Sequence, residues 1–282
     1  MKLHIRHETR YRYLQPVEIL PQRLLMTPRS GHELTLLQSS LRCTPDAALS
    51  WSQDVFGNMI ATASLASPTD ELVILGEMEV EQCAPAWPVL LIDPTAHRYP
   101  FAYTADDRRD LGSLATNDGV SERLAAWVSG FVAGPMTDTL SLLKDLNAGI
   151  LGSVAYRVRD EEGTQSPDET LALASGSCRD IAALFIEAAR HLGFGARAVS
   201  GYLYDPDVIA ADGGSTHAWA EIFLPGAGWV AFDPTHQRMG SAQLVAVAVG
   251  QSNRQIMPVT GGYVGRPDDA LAMSVSVEVR AI

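Results

Sequence analysis

From Ser177 to Asp233 the chain reads as one capped amphipathic helix followed by three strands. Cys178 opens the helix, and His217 and Asp233 follow on two strands that can fold back beside it. In GSCRDIAALFIEAARHLG, residues Ile181, Leu184, Phe185, Ala188 and Leu192 recur three or four apart and form one apolar stripe. Glu187, Arg190 and His191 are expected at its margin or in solvent. Ser177 is a candidate N-cap, and Gly193 can end the helix in a left-handed conformation. Strands are expected over 196–204, 217–224 and 229–233, with the turn Leu224-Pro225-Gly226-Ala227-Gly228 between the last two. His217, Trp219 and Glu221 then share one strand face, as do Trp229, Ala231 and Asp233. An antiparallel pairing of even register puts His217 and Asp233 on the same face, opposed or diagonal.

The first eighty residues carry a different period. Leu3, Ile5, His7 and Thr9 alternate with His4, Arg6, Glu8 and Arg10, and Tyr11 and Tyr13 continue the register until a turn expected at Gln15-Pro16. Further strands over 34–41, 60–65 and 72–80, with a turn in Asp54-Val55-Phe56-Gly57-Asn58, suit a small antiparallel sandwich. Pro85, Pro88, Pro94 and Pro100 mark a connecting stretch. Helical spacing begins at Val120 with Leu124, Trp127, Val128 and Phe131. Leu140, Leu143 and Leu146 suggest a second short helix ending near Gly149. Residues 157–166 read as a polar loop, and 271–279 alternate again as a last strand. The expected division is a β-rich domain over 1–85, a connecting segment over 86–119 and a catalytic domain over 120–282.

Composition narrows the function. With 33 acidic residues against 21 Lys and Arg, the formal charge is -12 and no basic cluster offsets it, which argues against a nucleic-acid partner. The short apolar runs at 89–92 and 244–249 are far below a membrane span, so no membrane partner is expected. The N-terminal MKLHIRHETRYRY has no hydrophobic core or cleavage site, and a cytoplasmic location is the simplest expectation. Three widely spaced cysteines do not make a disulfide framework.

Those cysteines differ in setting. Cys178 opens the helix, where unpaired backbone N–H groups and the positive end of the dipole favour a thiolate. A neighbouring histidinium from His217 would favour it further, and Asp233 would orient the imidazole from the other side. The amide of Cys178 is a candidate oxyanion donor. Asp180 is expected to serve the helix start, and Arg179 to fix Asp180, contact substrate or face water. Ser177, Trp219, Trp229 and His236 are candidates for lining or supporting the site, with core packing equally open for the tryptophans. Cys178, His217, Asp233 and His236 are also acceptable zinc-ligand types, but no CxxC or HExxH pair accompanies them, so neither metal nor cofactor is expected.

Taken together, SGSCRDIAALFIEAARHLGFGARAVSGYLY, THAWAEIFLPGAGWVAFDPTH and, more weakly, PVTGGYVG resemble the transglutaminase-like superfamily of papain-type cysteine enzymes, in its bacterial branch of candidate cysteine proteases. IRHETRYRY and DVFGN resemble that branch's N-terminal region. The resemblance implies an α+β fold: a transglutaminase-like papain-type core with an N-terminal antiparallel β-sandwich region. It maps the family's nucleophile to Cys178, its base to His217 and its orienting acid to Asp233. It implies acyl transfer at an amide or isopeptide bond of a peptide, protein or small amide, with hydrolysis, amine transfer and a non-catalytic interaction module all left open. Calcium dependence is not implied, since no twelve-residue calcium loop is present.

Overall fold

The computed structural model describes residues 1–116, 119–134, 136–159, 161–206 and 216–282. Counting strands of three residues or more, the first part holds β1 (Lys2–Ile19), β2 (Gln22–Leu24), β3 (Leu34–Thr44), β4 (Ala47–Gln53), β5 (Met59–Leu65) and β6 (Thr69–Gln82). Five α-helices follow among the described residues: α1 (Ala105–Leu111), α2 (Glu122–Ser129), α3 (Thr139–Ser153), α4 (Pro167–Leu173) and α5 (Cys178–His191). The chain ends with β7 (Gly195–Leu203), β8 (Thr216–Leu224), β9 (Gly228–Asp233), β10 (Leu244–Gly250) and β11 (Ala270–Ala281).

The alternation in the first strand does what its period requires: Leu3, Ile5, His7 and Thr9 are buried and their neighbours half-exposed. β1 pairs with β6 on one side and with β11 on the other, and β6 pairs with β3. A second sheet of order β2-β5-β4 faces it, and Val17, Ile19, Leu24, Cys43, Ala61, Ala63, Leu72 and Ile74 fill the space between them. The mixed architecture is the one the family resemblance implies, a β-rich N-terminal region ahead of a helix-on-sheet core. Strand β11, from the C-terminal end of the sequence, lies in the N-terminal sheet.

The expected break at Gln15-Pro16 differs in the structure. β1 runs on to Ile19, while its register with β6 shifts between Arg12 and Val17 and its other edge passes to Tyr263–Val264. A proline without an N–H cannot hold a ladder bond, so the strand changes partners there instead of ending. Gly149 likewise does not end α3. Leu142, Leu143, Leu146 and Ile150 carry the buried stripe past it, and a Cβ at Gly149 would come 2.2 Å from the Phe131 ring. The glycine serves helix contact, not termination.

The third sheet has the order β9-β8-β7-β10, all antiparallel. One face carries Ala196, Ala198, Ala220, Ile222, Phe232 and Ala248 against Ile181, Leu184, Phe185 and Ala188 of α5, with α2 and α3 behind. The small residues on the strands let the helix approach closely. The other face meets the N-terminal region: Tyr202, Val245 and Val247 pack with Leu3, Ile5 and Val80, while Val199, Trp219 and Val249 pack with Phe56. Helix α5 closes as read, with Gly193 at φ +88° and its N–H donated to the Arg190 carbonyl. Arg190 itself is not marginal. It is buried and donates to the carbonyls of Leu114, Ala196 and Gln251.

The turn Asp54–Asn58 links the two regions. Asp54 accepts from the amides of Phe56 and Asn58, and Gly57 takes φ +73°. This aims the buried Asn58 amide at the open edge of β10, where it accepts from Val249 N (2.9 Å) and donates to Val249 O (2.7 Å). Replacing Asn58 by alanine strands both Val249 backbone groups and is expected to cost about 2 kcal/mol. A urea-unfolding shift below about 0.5 kcal/mol would show that water replaces the amide there.

Candidate active site

The start of α5 is fixed from below. Ser175–Gly176 forms a short parallel ladder with Ala155–Tyr156, and Arg157 N donates to Gly176 O at 2.8 Å. Ser177 then sits at the cap with extended backbone, its amide and hydroxyl both donating to Asp180 Oδ2 at 2.8 and 2.7 Å. Asp180 is fully buried. Arg159 Nη1 donates to both its oxygens at 2.9 and 2.8 Å, and the Gln165 amide adds a bond of 2.7 Å. Burial alone would push this carboxyl up, but Arg159, Ser177 and Gln165 more than reverse it and hold it ionised. Asp180 therefore anchors the helix start. Arg179 points to the carbonyls of Glu161 and Gly163 at 2.5 and 2.7 Å, which ties it to the 161–166 loop.

Cys178, half-buried, is the first residue of α5. The β8–β9 ladder runs from Leu224↔Gly228 to Ala220↔Phe232, so residues 216–219 have no β9 partner in it. The electrostatics of the thiol are set from that stretch: the His217 imidazole and the Ala218 amide act on it, with the Arg179 amide of its own helix. Extending the ladder by one pair sets Asp233 opposite Trp219, diagonal to His217 on the same face. There His217 Nε2 lies 2.8 Å from Asp233 Oδ2. Because a carboxylate only accepts, that nitrogen carries the proton, and Nδ1 is left for the thiol. Asp233 is 1% exposed and His217 6%.

Electrostatics follow from these contacts. Burial pushes the Cys178 thiol up, but the His217 bond and charge, with the Ala218 and Arg179 amides, bring it below the ordinary thiol value. Burial would lower His217, yet Asp233 and Cys178 raise it to about 9. Asp233 is held well below the usual carboxylate range by His217 and His236, against the effect of its burial. The linkage has two signs. Stabilisation by His217 is complete below its unfolded value of 6.5 and is lost as pH rises through about 9. Stabilisation by Asp233 is present above its unfolded value of 3.8 and is lost as the carboxylate protonates in acid. These shifts all favour the charged forms: a thiolate at Cys178, an imidazolium at His217 and a carboxylate at Asp233.

The remaining candidates fall on both sides of this line. Trp219 is core, 1% exposed, its ring lying nearly parallel to His217 with centroids 5.9 Å apart and planes at 24°. Trp229 packs under the Arg197 guanidinium, 4.1 Å from its ring centre, and against Phe223. His236 donates from Nδ1 to Asp233 Oδ2 at 2.8 Å. His217, Asp233 and His236 bring one ligand-type atom each within 4.8 Å of one another. Both imidazole nitrogens that face the carboxylate are already used in hydrogen bonds to it, an arrangement that suits proton sharing better than a cation.

Two residues escaped sequence reasoning. Arg159, in the polar loop, clamps Asp180, and no local pattern links them. Tyr156, half-exposed, lies across the short ladder from Gly176; burial and then the charge on Cys178 push its hydroxyl up. The alternation Val154, Tyr156, Val158 was its one available signal.

Residues 3–81 match the bacterial transglutaminase-like N-terminal region, and residues 125–234 match the transglutaminase-like superfamily core. An uncharacterised protein of Mycobacterium leprae is 25% identical over 292 residues, covering 99% of this chain and 98% of that protein. The crystal structure of a candidate cysteine protease from Cytophaga hutchinsonii superposes with a TM-score of 0.77 at 18% identity, over 100% of this chain and 91% of that one, which is a likeness of fold. The periplasmic domain of TgpA from Pseudomonas aeruginosa is a more distant structural match, with a TM-score of 0.39 at 16% identity over 81% of this chain and 87% of that domain.

The cytoplasmic location expected from the N-terminal residues is corrected here. Residues 2–19 form β1, whose charge pattern answers to strand pairing and burial and says nothing of compartment. Among the described residues no helix is long and apolar enough to cross a membrane. The two matched segments, in the order and architecture described, establish that the chain belongs to the bacterial transglutaminase-like superfamily.

Proposed function

We propose that the protein is a thiol-dependent acyl-transfer enzyme that cleaves an amide or isopeptide bond through a Cys178 acyl-thioester, chiefly as a hydrolase. The observation that carries this reading is the buried His217–Asp233 hydrogen bond of 2.8 Å, with a cysteine at the first position of a helix whose thiol pKa His217 lowers. In this mechanism the Cys178 thiolate adds to the amide carbonyl carbon, and the carbonyl π electrons move to oxygen. The Cys178 amide at the helix start is the candidate donor to that oxyanion. Collapse re-forms the carbonyl and breaks the C–N bond, and the departing nitrogen takes the proton from His217 Nδ1. Neutral His217 then removes a proton from water as the oxygen attacks the thioester. Collapse breaks the C–S bond and returns the thiolate–imidazolium pair. An amine in place of water gives transfer by the same steps. Asp233 holds the imidazole tautomer throughout.

Acylation in this scheme needs both thiolate and imidazolium, so kcat/KM is expected to be bell-shaped. Its acid limb lies below the ordinary thiol range and its alkaline limb at about 9, where His217 loses its proton. A rate that instead climbs through the ordinary thiol range without an alkaline fall would remove the ion pair from the mechanism.

Mass spectrometry of glutamine peptides and peptide amides, with and without a primary amine, tests the reading. Ammonia release with a mass gain of about one dalton marks deamidation, amine incorporation marks transfer, and chain fragments mark proteolysis. No product from any substrate, together with ordinary thiol reactivity of Cys178 in both wild type and His217→Ala, would favour a non-catalytic module.

A further inference from the structure

Asp233 is shared by two histidines. Its Oδ2 accepts from His217 Nε2 and from His236 Nδ1, each at 2.8 Å. Its Oδ1 accepts from the backbone amides of Thr235 at 3.1 Å and His236 at 3.3 Å. An ionised carboxylate offers about four lone-pair positions, and here all of them are used. The two rings stand edge to face, centroids 5.1 Å apart at 69°. Only one of them is sealed: the His236 side chain is 30% exposed and the His217 side chain 6%. His236 therefore connects the buried acid to solvent.

We propose that His236 is a positioning residue: by donating from Nδ1 to the oxygen that also holds His217, it locks the Asp233 carboxylate and sets how firmly that oxygen grips the His217 imidazole. This rests on the roles proposed for Cys178 and His217. The physical basis is competition for one acceptor. Both donors draw on the charge of one oxygen, so a second strong donor weakens the first. The groups facing His217 are Cys178 from α5, Asp233 from β9 and His236 from the turn after β9, with Trp219 stacked beside it; Tyr156 faces the thiol from the short ladder. Without His236 the carboxylate would act on His217 alone. The imidazolium would be held more tightly, and its deprotonation would move to higher pH.

The test needs no substrate. The rate of Cys178 alkylation by iodoacetamide, followed against pH, reads the thiolate in acid and the His217 deprotonation step in alkali. In His236→Ala that alkaline step is expected to move up by about half a unit to one unit. In His236→Asn, whose amide nitrogen sits near the place of Nδ1, it is expected to return to the wild-type position. An alkaline step unmoved or lowered in His236→Ala overturns the proposal, and so does an asparagine variant that behaves like the alanine one. Should the variants not fold, histidine ¹⁵N shifts of the wild-type protein decide the matter. Neutral His236 carrying its proton on Nδ1 supports the proposal, and a proton on Nε2 overturns it. An ordinary thiol profile in the wild type itself would instead count against the Cys178–His217 pair, so the two failures are distinguishable.

Discussion

Cys178→Ala is expected to fold with only a small change in unfolding free energy and to lose all product formation, a fall on the order of 10⁶ in kcat if its group behaves as a cooperative nucleophile–base unit. The size follows from the chemistry. Without sulfur no acyl-thioester forms, and the amide faces only what backbone donors and binding supply. Folding is spared because the thiol is half-buried at a helix start whose cap is made by Ser177 and Asp180. The same mass-spectrometric products measured for wild type and variant decide it. A variant that keeps more than about one percent of the rate would move the chemistry to another residue.

Asp180→Ala is expected to act on stability, with a loss of about 3–5 kcal/mol by chemical denaturation. The substitution leaves Arg159 without its carboxylate, with its side chain 15% exposed, and deprives Ser177 and Gln165 of their acceptor. Breaking one side of a buried ion pair is costly because the other charge stays behind, which is why the expected value exceeds that of a lost surface bridge. Asp180→Asn, keeping shape without charge, should lose less. Since the cap also places Cys178, folded Asp180→Ala is expected to show slower iodoacetamide alkylation at mildly acidic pH. A stability change under about 1 kcal/mol would mean that water enters and solvates Arg159.

The two variants separate chemistry from scaffold at positions only two residues apart. That contrast also bears on what can be read from the chain. Asp180 near a helix start was recognisable as a cap residue, but its bidentate partner lies 21 residues upstream in a polar stretch with no periodic signal. Asn58 shows the same limit: its turn was legible, while its docking on Val249 spans 191 residues. Of the two loops that the sequence offers as framing the site entrance, 161–167 and 205–215, the first is tied to the helix start through Arg179. The other loop expected there, 205–215, falls largely outside the described residues.

What the sequence determined by itself is whatever repeats locally: the stripe of α5, the alternation of β1 and β8, the Ser177 cap, the Gly193 stop, and the side-chain types that make thiol chemistry possible. Periods of 3.6 and 2 fix which side chains share a face before any tertiary contact forms. Tertiary structure alone decided that the β8–β9 ladder stops at Ala220↔Phe232 beside the thiol, that two imidazoles converge on one oxygen of Asp233, and that β11 pairs with β1. These depend on how separate elements pack. Such contacts gain their free energy from burial and hydrogen bonds between residues far apart in the chain, which no local spacing encodes.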